Sequence, residues 1–287
     1  MQPVRLIPRL DVEGANLVRL EPQGVRRILG SADAFIRHYA EAGASALWLV
    51  DWQARSWGRS LLHERLARGA PLGVPLVVSG AVLRLADVDA LLAAGASRVA
   101  LGAEAIEQPD LLSDALARFG AEEIAVSIDV RRHADGHHEL LADGGTRPAG
   151  VAAVDWVRRA AELGGTELFA TSCDRDGTAA GYDLELASAL AEAADAMHVT
   201  LCGGAGSVEH VLELFKRTGV TGASLASLVH FEAAPRVAHR SDWSGQAVLQ
   251  FLRESGALRP FRLASVREIK QRLAQAQIPC AELAVPA

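Results

Sequence analysis

The residues best suited to chemistry stand at two places that mirror each other along the chain. Asp11 ends the apolar run Val4 to Leu10, and Asp129 ends the run Glu123 to Ile128. Two carboxylates facing each other across an apolar pocket suit general acid–base catalysis, because environment can hold one protonated and the other ionised. A third cluster, Thr171 to Asp183, reads Thr-Ser-Cys-Asp-Arg-Asp-Gly-Thr-Ala-Ala-Gly-Tyr-Asp. It follows Glu167 to Ala170, a short apolar stretch that reads as a buried parallel strand. Thr171 and Ser172 stand at the strand end, with Asp174 and Asp176 on the glycine-containing turn. α/β enzymes place their chemistry at the C-terminal ends of parallel strands. Asp174 and Asp176 are equally suited to closing a turn and capping the helix expected over Leu184 to Ala194.

Alternating strands and helices must position these groups. Strands are expected at Val4–Leu10, Ala46–Val50, Val74–Val78, Ser97–Leu101, Glu123–Ile128, Glu167–Ala170, His198–Cys202 and Gly222–Ala226. Helices are expected over Ala32–Gly43, around Leu61–Ala67, and over Leu85–Ala94, Val154–Leu163, Leu184–Ala194 and Val266–Ala276. Eight strand–helix units close an α/β fold of the single (β/α)8 TIM-barrel type. The strand ends repeat at an offset of roughly 118 to 124 residues, so two similar half-barrels follow one another. Asp11 answers to Asp129, Asp51 to Asp174, Ser79-Gly80 to Gly203-Gly204, and Ala100–Ala103 to Ser224–Ser227. The rhythm breaks from about 232 to 264, where Pro235, His239, Trp243 and Pro260 stand and Ser244–Gly256 has the pattern of a short amphipathic helix. This reads as an insertion before the last helix, because so short a segment has too little core to be a domain. One domain over 1–287 is expected.

Of the 287 residues, 50% are hydrophobic and 22% charged, with a net charge of -6. Such a balance argues against disorder and against a dedicated nucleic-acid surface. No apolar run reaches a membrane-spanning length, the N-terminus runs into a strand rather than a signal peptide, and a cytoplasmic home is expected. Cys173, Cys202 and Cys280 show no metal-ligand spacing, and Cys173 and Cys202, at strand ends, read as core thiols. His137 and His138 read as a solvated hairpin-like loop, and His230 as a packed helix residue. No metal or cofactor is expected.

Leu10-Asp11-Val12, Ser127-Ile128-Asp129, Thr171 to Thr178, Gly181-Tyr182-Asp183 and Gly203-Gly204-Ala205-Gly206 together resemble the cyclase subunit of imidazole glycerol phosphate synthase, HisF. The resemblance covers nearly the whole chain apart from roughly 232–264. It implies a lyase-cyclase without cofactor that takes ammonia from a glutaminase (HisH-like) subunit docked on the N-terminal face. Ammonia would cross the barrel and close an imidazole ring on a phosphorylated ribulosyl-formimino substrate, giving imidazole glycerol phosphate and aminoimidazole carboxamide ribotide. Asp11 and Asp129 match the catalytic pair, and Thr171 and Asp176 their polar support. Gly177, Gly203, Gly204, Ala226 and Ser227 match one phosphate site, where backbone N–H groups attract an anion. Gly80, Gly102 and Ala103 fall at the other, Arg19 in the first loop, and Arg5, Arg98 and Glu167 at an ammonia gate on the barrel floor.

The chain departs from the family in several places. Ser79-Gly80-Ala81 and Gly102-Ala103 replace a glycine-rich turn and an Asn-Thr pair. Arg19-Leu20 replaces Lys-Gly, a swap that is not neutral, and Ala46 replaces a gate glutamate. Two other readings follow: an ammonia-using relative in glycan amidation or secondary metabolism, or a silent barrel that only activates a glutaminase. Asp51 reads as a site residue or as a strand end that hydrogen-bonds neighbouring loops.

Overall fold

The computed structural model describes residues 2–20, 26–51, 54, 73–238, 254, 258 and 260–281. Eight parallel strands close on themselves: β1 (Arg5–Glu13), β4 (Leu47–Asp51), β5 (Leu76–Ser79), β6 (Arg98–Leu101), β7 (Ile124–Arg132), β10 (Glu167–Ser172), β11 (His198–Cys202) and β12 (Gly222–Leu225). Each pairs in parallel with the next, and β12 returns to β1 with Arg5 opposite Gly222 and Pro8 opposite Leu225. This is a (β/α)8 barrel, and its strands are apolar on both faces because one faces the interior and the other the helices.

The two halves begin alike. β1 and β7 are both nine residues long and run beyond the barrel into antiparallel excursions. These are β2 (Asn16–Leu20) with β3 (Arg26–Ser31) after β1, and β8 (His138–Ala142) with β9 (Arg147–Ala152) after β7. Each excursion feeds a ten-residue helix, α1 (Ala32–Glu41) or α5 (Ala153–Glu162). On α5 the buried residues Ala153, Trp156, Val157 and Ala160 recur at helical spacing and lay one stripe on the sheet.

The other helices are α2 (Leu85–Ala93), α3 (Ala103–Glu107), α4 (Pro109–Phe119), α6 (Leu184–Ala193), α7 (Val208–Arg217), α8 (Ser227–Ala238) and α9 (Val266–Gln275). Among them α3, α4 and α7 had no counterpart in the sequence reading. α8 runs through residues 232–238 despite Pro235, so the departure from the strand–helix rhythm begins after that helix. Helices expected around Leu61–Ala67 and Ser244–Gly256 lie outside the described residues. His138 is not in a solvated loop: it starts β8, and its side chain is buried against Asp183, Nε2 to Oδ2 3.5 Å. Among the described residues no helix is long and apolar enough to cross a membrane.

Candidate active site

Side chains of successive strand residues alternate between faces, so on β1 Arg5, Ile7, Arg9 and Asp11 all point into the barrel while Leu6, Leu10 and Val12 pack under the helices. This column defines the levels of the interior. At the floor Glu167, 1% exposed, accepts from Arg5 at 2.8 and 2.5 Å and from Arg98 at 2.5 Å. A buried carboxylate needs such partners, since removing them would strand a charge. The three expected gate residues therefore meet as one ion cluster, while Ala46 is buried in the apolar layer of the interior.

Above the floor Ile7, Ala46, Trp48, Val77, Ala100, Ala125, Phe169 and Cys202 form a second core inside the barrel. Trp48 and Phe169 fill it with ring centroids 4.9 Å apart, and Trp48 Nε1 donates to Ser79 Oγ at 3.0 Å. In this conformation the axis is packed by aromatic rings at mid-height.

Directly over Trp48 lies Arg9, 8% exposed, its guanidinium 4.9 Å from the indole centroid. Its Nε donates to Asp11 Oδ1 at 2.8 Å and its Nη1 to Thr171 Oγ1 at 3.0 Å. Thr171 in turn stands beside Asp129, its register partner across β10 and β7. The row Asp11–Arg9–Thr171–Asp129 thus joins strands one, six and five of the barrel at its C-terminal mouth. Burial pushes the Asp129 carboxyl above its ordinary range, against the pull of Arg9 and Thr171. Burial works against the charge on Arg9, but Asp11, Cys202, Asp176 and Asp129 hold its pKa well above the usual arginine value.

The sequence reading passed over Arg9. Its signal was the alternation itself, because a charge four residues from Arg5 and two from Asp11 on a buried strand shares their inward face.

The second-half residues converge. Asp176 receives Arg19 from β2, Nη1 to Oδ2 3.5 Å. Burial would raise its carboxyl, but Arg19 and Arg9 hold it below the ordinary range. Gly177, at a φ of 76°, leaves open the volume that Arg19 enters: a Cβ there would stand 2.5 Å from Nη2. A Cβ on Gly204 would stand 2.1 Å from the carbonyl oxygen of Gly181, whose N–H donates to the Gly204 carbonyl at 2.8 Å. Part of the glycine pattern is thereby explained by the close approach of two loops. Ala226 and Ser227 sit where β12 passes into α8, and Ser227 is buried. Asp174 is turned to structure, accepting from the Arg132 N–H at 2.7 Å, and Asp183 caps α6 by accepting from Leu186 N–H at 3.0 Å.

The first half is different in kind. Asp51 is buried at the end of β4 and accepts from the Ala54 N–H at 3.0 Å. Gly80 packs against the Asp51 backbone, leaving only 2.8 Å between a Cβ there and the Asp51 carbonyl oxygen. Gly102 and Ala103 open the five-residue helix α3, and the next residue, Glu104, is 9% exposed. Glu104 was also missed in the sequence, where it reads as an ordinary helix-start acid.

Cys173 and Cys202 are not primed as nucleophiles, since burial pushes both thiols up. Among the described residues no group of three or more His, Cys, Asp and Glu side chains is placed to hold a metal. A cavity of about 400 Å³ lined by residues including Arg132, His133, Asp174 and Arg175 lies at the rim and includes neither Asp11 nor Asp129.

Residues 5–235 match the family model for histidine biosynthesis proteins. The subunit HisF of imidazole glycerol phosphate synthase from Streptococcus mutans serotype c is 36% identical over 234 residues, covering 79% of this chain and 90% of the relative. The HisF subunit of a Synechococcus species (strain CC9311) is 39% identical over 241 residues, covering 80% and 89%. That of Metallosphaera sedula is 37% identical over 231 residues, covering 79% and 90%. The matched segment contains the whole barrel sheet and every residue of the carboxylate row, and on these grounds the chain belongs to the histidine biosynthesis protein family, as a HisF-like barrel.

Proposed function

We propose that the chain is a lyase-cyclase of the HisF type, an enzyme of histidine biosynthesis that uses ammonia to close an imidazole ring on a phosphorylated ribulosyl-formimino substrate. The observation that carries this reading is the row Asp11–Arg9–Thr171–Asp129, which brings two carboxylates of unequal surroundings to one mouth. Asp129, whose pKa burial raises, is the group suited to deliver a proton. Asp11, with Arg9 on one oxygen and the other open to a donor, is placed to accept one. Gly177, Gly203, Gly204, Ala226 and Ser227, with Arg19 beside them, would hold a phosphate end of the substrate. A HisH-like glutaminase would dock on the N-terminal face, over the Arg5–Glu167–Arg98 cluster. Ammonia crossing the axis would then require the Trp48 and Arg9 side chains to swing aside.

The test is steady-state turnover of the purified chain with ammonium salts and the ribulosyl-formimino substrate, comparing wild type with Asp11→Asn and Asp129→Asn. Cyclisation that falls on the order of a hundredfold in each variant supports the reading. Wild-type glutaminase activation without any cyclisation would instead favour a silent activating barrel.

A second reading, a HisF-like enzyme acting in glycan amidation or secondary metabolism on a different substrate, is favoured by one feature: the first-half mouth carries Gly102, Ala103 and a buried acid in place of groups that bind a second phosphate.

A further inference from the structure

The turn between β8 and β9, Asp143 to Thr146, comes down on one of the two mouth carboxylates. Asp143, Gly144 and Gly145 all take positive φ values, 55°, 65° and 82°. Two of the three are glycine, which enters that region without steric cost. Thr146 closes the turn, its N–H donating to the Ala142 carbonyl at 3.1 Å and its hydroxyl to the Asp143 carbonyl at 2.8 Å. The two glycines stand in different surroundings. A Cβ on Gly144 would meet nothing within 4 Å, whereas one on Gly145 would lie 3.2 Å from Cys173 Sγ and 3.8 Å from Asp129 Oδ2. Gly145 thus sets bare backbone beside the carboxylate, closer than a side chain would allow without pressing on the thiol.

Two attachments hold the turn there. β8 pairs with β7 in antiparallel register, Leu141 opposite Asp129, so the hairpin grows from the strand that carries the carboxylate. At the start of β9, Arg147 donates through Nε to Asp143 Oδ2 at 2.6 Å and through Nη2 to Glu107, the last residue of α3. Arg147 therefore tethers the turn to the helix ring. The other charges around Asp129 are Arg9 and Asp11 of β1, and Asp176 beyond β10, with the Cys173 thiol between. Glu104 stands on the α3 side, past Gly102. The charges of the turn itself, Asp143 and Arg147, pair with each other, so its main effect on Asp129 is to keep water away. Excluding water from a carboxylate disfavours its ionised form. A proton donor in turn serves only while it still holds its proton at the working pH.

We propose that Gly145 is a positioning residue of the reaction, seating the β8–β9 turn as a fixed cover on Asp129 that withholds water from the proton donor. The proposal rests on the reading of Asp129 as the acid of the cyclisation, and it adds the element that prepares Asp129 for that role. Gly145 supplies the closeness and Arg147 the tether. Burial is the largest influence on Asp129 and acts upward, against Arg9, as such a cover requires.

The test is direct titration of Asp129 in the full-length chain by carbon-13 NMR of labelled aspartate carboxyl groups, with Asp129→Asn assigning the resonance. Gly145→Ala should move the midpoint to lower pH, raising the acid dissociation constant at least about threefold, because the added methyl lifts the turn and readmits water. Gly144→Ala places the same methyl in open space at a similar φ, and should leave the midpoint where wild type has it. Should Gly145→Ala fail to fold, Arg147→Gln decides in its place. It adds no bulk and should also move the midpoint down, whereas loss of its positive charge alone would move it up. A midpoint that does not fall in the deciding variant, or that Gly144→Ala displaces equally, overturns the proposal. The pH–rate profile tests the underlying reading separately. A midpoint that falls while the profile stays in place upholds the cover and refutes Asp129 as the acid.

Discussion

Arg9 and Asp11 form a buried ion pair inside the barrel, Nε to Oδ1 2.8 Å, with both side chains on the inward face of one strand. The pair is held from below by Trp48 and from behind by His230, whose Nε2 bonds the Arg9 carbonyl oxygen at 2.7 Å. Arg9 thereby fixes Asp11 and Thr171 at once and places a positive charge among Asp11, Asp129 and Asp176.

Arg9→Met keeps an unbranched apolar stem and removes the guanidinium with its charge and donors. It should lower turnover on the order of tenfold to a hundredfold, with a smaller change in KM, because the groups it orients act in the transition state. Arg9 lowers the pKa of Asp129, so the limb of the pH–rate profile governed by Asp129 should move to higher pH in the variant. The groups around Asp129 that share this balance are Arg9 and Asp11 on β1, Thr171 on β10, and Cys173 and Asp176 beyond it. An unmoved profile alongside lost stability would leave Arg9 a packing residue only.

Asp129 should cost the fold some stability. Its folded pKa is raised by burial, so above the ordinary carboxylate range the folded state holds a proton more firmly than the unfolded chain. Stability contributed by that proton is lost as pH rises through the folded pKa. Asp129→Asn should therefore match or exceed wild type in thermal midpoint at neutral pH while turnover collapses, a pattern expected where a site is kept for activity. A marked drop in midpoint would count against this account.

His230 should make the fold acid-sensitive. Its ring bonds the Tyr39 hydroxyl at 2.6 Å through Nδ1 and the Arg9 carbonyl at 2.7 Å through Nε2, so the neutral Nε2–H tautomer donates to Arg9 and accepts from Tyr39. Burial takes its pKa down to about 4. The unfolded histidine gains a proton near its ordinary pKa, so stability is fully present above that value and falls as pH drops toward 4. The loss amounts to about 3 kcal/mol if no other group opposes it. Urea midpoints measured across this range should fall in wild type and flatten in His230→Gln.

The floor cluster and the aromatic layer test the route of nitrogen. With a glutaminase bound, Arg5→Ala should change glutamine-driven turnover while leaving ammonium-driven turnover close to wild type, because Glu167 keeps Arg98 as a partner. Trp48→Ala should cost about 3 to 5 kcal/mol of stability from the cavity it leaves. It should also raise glutamine-driven turnover relative to ammonium-driven turnover if the axis is the path. Equal rates in all combinations would mean that nitrogen enters from the mouth.

Much of the barrel was legible in the sequence. Apolar runs ending in Asp, Gly or Ser recur at a nearly fixed offset, and buried parallel strands carry that pattern because both their faces are dry. The strand His198–Cys202 matches residue for residue, and the other barrel strands agree to within a few positions. The longer reach of β1 and β7 was not visible, since their outer ends are held by antiparallel partners that no local pattern announces. α3 was missed because a five-residue helix carries little periodicity, whereas α4, with Leu111, Leu112 and Ala115 buried, and α7, with Val208, Val211, Leu214 and Phe215 buried, show a helical spacing that was legible and overlooked.

The sequence by itself determined which residues arrive at the mouth, because a strand end and a two-residue period are local properties of the chain. Their neighbours only the closed barrel decided. Arg9 meets Thr171 across 162 positions of chain, and on the floor Arg5 and Arg98 meet Glu167 across 162 and 69. A side chain at Gly102 would press on both the Glu104 carboxylate and the Ser127 hydroxyl of the next strand, 3.2 and 3.3 Å from its Cβ. Such encounters depend on register and shear around the whole sheet, which fix which inward columns lie side by side, and no local spacing encodes them.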